Sequence, residues 1–366
     1  MQTAHIKQLE CNLHFAYLDS GAPVSDDYTT LVCIHGNTYH AQTFQRLISL
    51  APQHNFRLIA LNRRDYIGSA PFNESELSVL NSTDESKHRQ FLYDRGLEIA
   101  YFLLWIVNEL EIPRIRFYGN KGGLALLGWS LGNVTSIAFL ANLEKYPREV
   151  TRVLEPYLRH FCIYEAVYQF LGLPSPEGAY HPLWDNEISL ERKPAVIDDW
   201  FTSYYNHPYF SHPPESSRRD FSMLHPRFPL KPVKPSTSTN RTPEELAAMT
   251  DPNPVMRSEI AFYFIVREST LYEQYKAALT SPLRLIPTSP TTPFLFPGLK
   301  ISVVNGTRTV WNIIWTAWEM QKDLERWKNE GMNVRPVKFI TIEGANHFAL
   351  WDEPEVLMKT LASCLA

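Results

Sequence analysis

Disulfide frames, a strong charge of one sign and long apolar runs are all missing from this sequence. It has four cysteines in 366 residues. Cys11, Cys33, Cys162 and Cys364 stand far apart and form neither a CxxC pair nor a metal-ligand spacing, so they read as free thiols of a reducing compartment. Lysine plus arginine (35) nearly balances aspartate plus glutamate (39), for a formal charge of −4, and no basic run occurs. That balance excludes the electrostatic footprint of a nucleic-acid binder or of a protein drawn to an anionic membrane. No window approaches the roughly 18 apolar residues that span a bilayer, and "MQTAHIKQLE" lacks the apolar core of a secretion signal. The expected location is the cytoplasm. There is no GxGxxG after a first strand, no P-loop, no HExxH and no Cys/His cluster, and GNKGG alone does not make a phosphate site. No metal or other cofactor is expected. The expected partner is a small-molecule substrate, with no nucleic acid and no membrane span, and the oligomeric state stays open.

What is present is a globular balance of 44% hydrophobic and 20% charged residues, enough for one large domain carrying an insertion. "AHIKQLE" and "LHFAYLDSG" alternate as two antiparallel strands. "TTLVCIHGN" and "NFRLIALN" are continuous apolar runs, the pattern of strands buried on both faces, and "AQTFQRLISLA" between them has helical spacing. Strand, helix, strand of this kind predicts a parallel sheet. "HRQFLYDRGLEIAYFLLWIVNEL" predicts a long helix on that sheet, and the next strand is either "IRFYG" or "LALLGW". "NVTSIAFLANLEKYP" reads as a helix and "RHFCIYEA" as a strand. "LKISVVNG", "WNIIWTAWEMQKDLERWKNEG", "VKFITIEGANHF" and "EPEVLMKTLASCL" follow as strand, helix, strand and helix. Between them the texture changes to proline and aromatic residues with short helices such as "PEELAAM" and "SEIAFYFIVRESTLYEQYKAAL". The expected organisation is a core from residues 1–166 and 299–366, with a lid inserted at 167–298.

Gly128-Trp129-Ser130-Leu131-Gly132 fits G-x-S-x-G. A chance match is expected about 0.1 times in a chain of this size, and here the motif follows an apolar run and opens a helical one, the setting of a nucleophile elbow. A sharp strand-to-helix turn lifts a serine hydroxyl clear of the sheet, and the helix N-terminus offers unpaired N–H groups where negative charge would develop. The alternative is a turn serine that caps the helix.

With this motif in place the chain resembles the α/β-hydrolase superfamily. "LVCIHGNTYHAQTF" is similar to its His-Gly oxyanion loop, "ALNRRDYIGSA" to its D-x-R-G-x-G-x-S segment and "IEGANHFALWDEPE" to its last strand and histidine turn. Asn62 replaces the usual Asp of the second motif and Asp65 the usual Gly. The resemblance implies an α/β-hydrolase fold, a mostly parallel central sheet flanked by helices with a large inserted lid. It implies Ser130 as nucleophile and His347 as its base, with Leu131 and the Asn37 and Thr38 region as oxyanion donors.

The acid is the exception. The usual G-x-x-D after the seventh strand is here Gly306-Thr307-Arg308-Thr309, and threonine carries no charge to support an imidazolium. Glu165, directly after the sixth strand, stands where haloalkane dehalogenase-like members place theirs; otherwise it is a surface or lid salt-bridge partner. A serine in place of Asp at the elbow points to acyl transfer rather than halide displacement. The expected activity is therefore hydrolysis of an ester, thioester or lactone. Trp129, Trp311 and Trp315, with the aromatic lid, suit a bulky apolar substrate or else form the lid's own core. Likeness to lidded fungal members that accompany natural-product pathways implies a specialised metabolite. Two alternatives stay open: a non-hydrolytic cyclase or condensing enzyme on the same fold, and a ligand-binding receptor of weak catalysis.

Overall fold

Apolar runs bounded by turn residues become strands where the alternation indicates. The computed structural model describes residues 1–9, 13–116, 121–211, 219–229, 232–281 and 294–365. Its strands are β1 (Gln2–His5), β2 (His14–Asp19), β3 (Thr29–Ile34), β4 (Phe56–Leu61), β5 (Leu124–Trp129), β6 (Leu158–Tyr164), β7 (Thr280–Ser281), β8 (Lys300–Gly306), β9 (Asn333–Val334) and β10 (Val337–Ile342). Eight form one sheet in the order β1-β2-β4-β3-β5-β6-β8-β10, while β7 and β9 pair with each other. β2 is antiparallel to β1 and to β4, and every pairing from β4 across to β10 is parallel.

β3, β5 and β6 are buried along their whole length, as strands covered on both faces must be. Alternate side chains of β3 enter different cores. Val32 and Ile34 join the side of the long helices Glu85–Glu109, Gly132–Ala141 and Trp311–Asn329. Leu31 and Cys33 join the side of Gln45–Leu50 and Pro354–Leu365. Because the strands from β4 to β10 run parallel, their C-terminal ends share one edge. The order reverses between β3 and β5, the place where open parallel sheets form a crevice.

The sheet and its flanking helices match the expected architecture, with local differences. The strand before Ser130 is "LALLGW"; of the other option, residues 117–119 lie outside the described residues. β1 is shorter than the run from Ala4 to Glu10, because Leu9 N–H turns back to the Ile6 carbonyl. The helix predicted over 133–147 ends at Ala141, where the Asn142 side chain takes the Ala138 carbonyl and competes with the backbone. A second helix, Arg148–Leu154, starts after Pro147.

The stretch predicted as one helix over 258–279 is broken. A widened turn, Val255–Glu259, closes with Ile260 N–H on the Val255 carbonyl at 2.8 Å, Ala261–Phe264 adds one turn, and Arg267 is extended before helix Glu268–Leu279 begins. The break lets the latter helix lie on Gly132–Ala141, where Gln274 Nε2 donates to the Val134 carbonyl. Among the described residues no helix is long and apolar enough to cross a membrane.

Gly96 is where helix Glu85–Glu109 crosses Gly132–Ala141: a Cβ there would lie 2.6 Å from the Ala138 carbonyl and 2.3 Å from the Tyr146 hydroxyl. Alanine is about 1 kcal/mol better than glycine in a helix interior. The clash is with backbone and outweighs that gain, so Gly96→Ala should lose about 1–3 kcal/mol in urea unfolding; a stabilised variant would refute the close crossing.

Candidate active site

Ser130 follows β5 directly, and its φ of 53° lies in the left-handed region that side chains avoid. The turn persists because its surroundings fix it. Ser130 N–H donates to the Tyr164 carbonyl at 3.1 Å, and the Asn133 side chain donates to the carbonyls of Ser130 (2.9 Å) and Tyr164 (3.0 Å). Both motif glycines are needed for close approach. A Cβ on Gly128 would lie 2.3 Å from Ser136 Oγ, and one on Gly132 2.4 Å from the Ile34 carbonyl. Leu131 precedes helix Gly132–Ala141 with no side-chain cap, and the first turn is closed by Asn133 N–H on the Ser130 carbonyl and Val134 N–H on that of Leu131.

The end of β6 supplies the carboxylate. Glu165 has a φ of 50°, its side chain is fully buried, and its N–H continues the sheet by donating to the Val304 carbonyl. Gly306 N–H donates to Oε1 at 2.6 Å, while Thr309 Oγ1 (2.5 Å) and His347 Nδ1 (2.9 Å) meet at Oε2. Thr309, at the position where the resemblance expects an acid, thus donates to the Glu165 carboxylate. His347 is brought there by cross-bonded loops. Gly344 N–H donates to Thr307 Oγ1, Arg308 N–H to the Ala345 carbonyl, and a Cβ on Gly306 would lie 2.1 Å from that same carbonyl. With Nδ1 donating to Glu165, Nε2 is the nitrogen left as acceptor. The His347 ring lies 5.3 Å from those of both Trp129 and Phe201.

On the other side is the loop after β3. Gly36 packs on Ser130 so closely that a Cβ there would lie 2.9 Å from Ser130 Cβ and 3.4 Å from its Oγ. His35 is buried; burial first, then the Arg63 charge, hold its pKa well below the ordinary histidine value. The neutral ring accepts from Arg63 N–H at Nε2 and reaches its neighbour's carbonyl, Gly36 O, with Nδ1 at 2.9 Å. Asn37 and Thr38 follow, Thr38 at a φ of 64°. The Asn37 side chain donates to Glu259 at 2.5 Å and accepts from Thr38 Oγ1 at 2.9 Å.

Ser130, Leu131, Asn37, Thr38, Glu165 and His347 therefore share the C-terminal edge of adjacent strands. The three tryptophans are placed differently. Trp129 lies in the core with its indole N–H on the His347 carbonyl at 3.2 Å. Trp311 is buried and donates to the Tyr180 carbonyl, and Trp315 donates to that of Pro174. Asn62 and Asp65 keep the loop after β4 in shape. Asn62 accepts from Ala41 N–H and donates to the Ile67 carbonyl, and Asp65 holds the left-handed conformation at a φ of 73°.

The motifs did not reveal the ties between this edge and the stretch that follows β6. Tyr39 pairs with Thr250, His40 N–H donates to the Met249 carbonyl and Asp251 N–H to that of Thr38. Tyr39 also joins Asp198 and Arg241, and Asn346 Nδ2 reaches the Thr202 carbonyl at 2.7 Å. Among the described residues no group of three or more His, Cys, Asp or Glu is placed to hold a metal.

A model of the "Alpha/beta hydrolase family" matches residues 31–360. Among solved structures, Cfl2 from Burkholderia cenocepacia is 13% identical, with 100% of this chain and 95% of that chain covered at a TM-score of 0.55. A bromoperoxidase from Bacillus anthracis is 13% identical over 100% of this chain and 99% of that chain, at 0.45. Carboxylesterases of Nitrososphaera gargenis are represented at 12% identity over 97% and 94%, at 0.49. At such identities the likeness is one of fold. No curated protein matches the chain.

The Thr309–Glu165 hydrogen bond is testable by itself. Thr309→Val should cost about 1–3 kcal/mol of unfolding free energy, as loss of a buried bond to a carboxylate. In a Glu165→Gln background the same change should cost clearly less, because the two share one interaction. Additive losses in the double-mutant cycle would show that the contact contributes nothing.

Proposed function

Because the chain belongs to the alpha/beta hydrolase family, we propose that it is a serine hydrolase of carboxylic esters, thioesters or lactones. In this reading Ser130 is the nucleophile, His347 its general base and Glu165 the orienting acid. The observation that carries it is the buried His347 Nδ1 to Glu165 Oε2 contact at 2.9 Å, which fixes one ring nitrogen on the carboxylate and leaves Nε2 as the one available to the serine. Ser130 Oγ attacks the carbonyl carbon while its proton passes to Nε2. Glu165, with its three donors, stabilises the resulting imidazolium. The N–H groups of Leu131 and Asn37 take the oxyanion, with Thr38 shaping the loop. When the tetrahedral intermediate collapses, Nε2 returns the proton to the departing alcohol or thiol, and water, deprotonated by the same nitrogen, releases the acid.

A bulky apolar substrate is supported by the aromatic rings packed beside His347. Phe201 contacts it, Trp200 packs on Phe201 at 4.9 Å, and His181 packs on Trp200 at 4.9 Å. Burial keeps His181 uncharged, its pKa lowered to about 3, so this wall carries no cation there. Trp311 and Trp315 back the wall by holding the stretch from Pro174 to Tyr180. Residues 167–298 act as the cap. Thr309 is the departure that keeps a non-hydrolytic cyclase open as an alternative; its bond to Glu165 supports the hydrolytic reading. Cys33, Cys162 and Cys364 are free and buried, which supports a cytoplasmic setting, while Cys11 lies outside the described residues.

A fluorophosphonate should add one adduct to the protein, at Ser130, and none to Ser130→Ala. With p-nitrophenyl butyrate, Glu165→Gln should lower kcat by about 10³–10⁴-fold. An unlabelled Ser130 would sink the reading, and unchanged turnover in Glu165→Gln would sink the choice of acid.

A further inference from the structure

We infer that Arg63 and Glu259 are positioning residues of the oxyanion site, an ion pair that turns the Gly36–Asn37 peptide so that the Asn37 N–H faces Ser130. The inference rests on the serine-hydrolase reading above. Arg63 follows β4, and its guanidinium donates from Nε to the His35 carbonyl at 3.1 Å and from Nη2 to the Gly36 carbonyl at 2.8 Å. In a trans peptide the C=O and the following N–H point in opposite directions. Holding the Gly36 carbonyl on Arg63 therefore directs the Asn37 N–H away from it, to the side on which Gly36 meets Ser130.

Arg63 is almost enclosed, with 12% of its side chain exposed, so it requires a counter-charge. Glu259 supplies one: it is 2% exposed, ion-paired with Arg63, and also accepts from Asn37 Nδ2. Burial, opposed by Arg63, raises the Glu259 pKa above the usual carboxylate range, and the Thr38 N–H is among the groups holding it. Two consequences follow. The Asn37 side-chain amide is committed to Glu259 and to the Thr38 hydroxyl, which leaves the Asn37 main chain as the donor toward substrate. The carboxylate comes from the widened turn Val255–Glu259, within the stretch between β6 and β8, so that stretch sets the geometry of the oxyanion site as well as covering it. Widened turns of this kind recur at functional sites.

Arg63→Lys is the discriminating variant. Lysine keeps the positive charge beside Glu259 but cannot hold two carbonyls and a carboxylate in one planar fork. With the full-length chain and p-nitrophenyl butyrate, we expect an unfolding midpoint near that of the wild type, KM unchanged within about twofold and kcat lowered about 10–10²-fold. Affinity for a trifluoromethyl ketone, whose adduct with serine presents an oxyanion, should fall in parallel with kcat. Glu259→Gln should show the same split. A folded Arg63→Lys protein with wild-type kcat and ketone affinity overturns the inference, as does a loss of kcat with ketone affinity intact. Failure of the wild-type chain to label at Ser130 overturns the serine-hydrolase reading and this inference with it, an outcome distinct from labelling at an equal rate in both proteins, which overturns the inference alone.

Discussion

The carboxylate of Glu165 gathers three donors from two separate loops of the chain: the backbone of Gly306 and the hydroxyl of Thr309 after β8, and the ring of His347 after β10. A buried carboxylate without such partners would cost several kcal/mol, so this group draws the ends of β6, β8 and β10 to one point. The loops obey that demand. Gly306 has no side chain because the Ala345 carbonyl occupies the space, and the backbone of residues 307–308 bonds to that of 342–345. The position at which the sequence lacks an acid holds Thr309, whose hydroxyl donates to the Glu165 carboxylate.

Backbone strain gathers at the same edge. Thr38, Asp65, Ser130 and Glu165 all take positive φ, and each lies within a few residues of the C-terminal end of a neighbouring parallel strand. Such conformations cost on the order of 1–3 kcal/mol each and survive only where the surroundings over-determine them. The sheet supplies that rigidity, since β3, β5 and β6 are buried throughout. Short residues then project from fixed points instead of from mobile loops.

The parts legible in the sequence are those with a local signature. β3 announces itself as an apolar run and β5 is one of two runs the sequence offers, while the candidate residues Ser130, His347 and Glu165 are marked by flanking glycines, the turn after an apolar strand and a place after β6. Interactions without a spacing rule stayed hidden. A threonine donor carries no motif, and the Glu259 contact with Asn37 joins residues 222 positions apart. The tryptophans of helix Trp311–Asn329 fit either a cleft or a core by periodicity; only the partners of their indole N–H groups show which way they are turned. The helix predicted over 258–279 failed for a related reason, since its apolar pattern is compatible with a bend that tertiary packing imposes.

The short antiparallel pairing of residues 38–40 with 249–251 has a bearing on modularity. A segment that merely rested on the sheet could be exchanged like a detachable part. Here its backbone is hydrogen-bonded to the loop beside the serine, and its Thr202 carbonyl to Asn346 in the histidine turn. Transplanting the segment that carries residues 249–251 without the loop after β3 would leave both partners with unmatched polar groups. The smallest unit that can be swapped, by recombination or by design, is this stretch between β6 and β8 together with the two turns it grips.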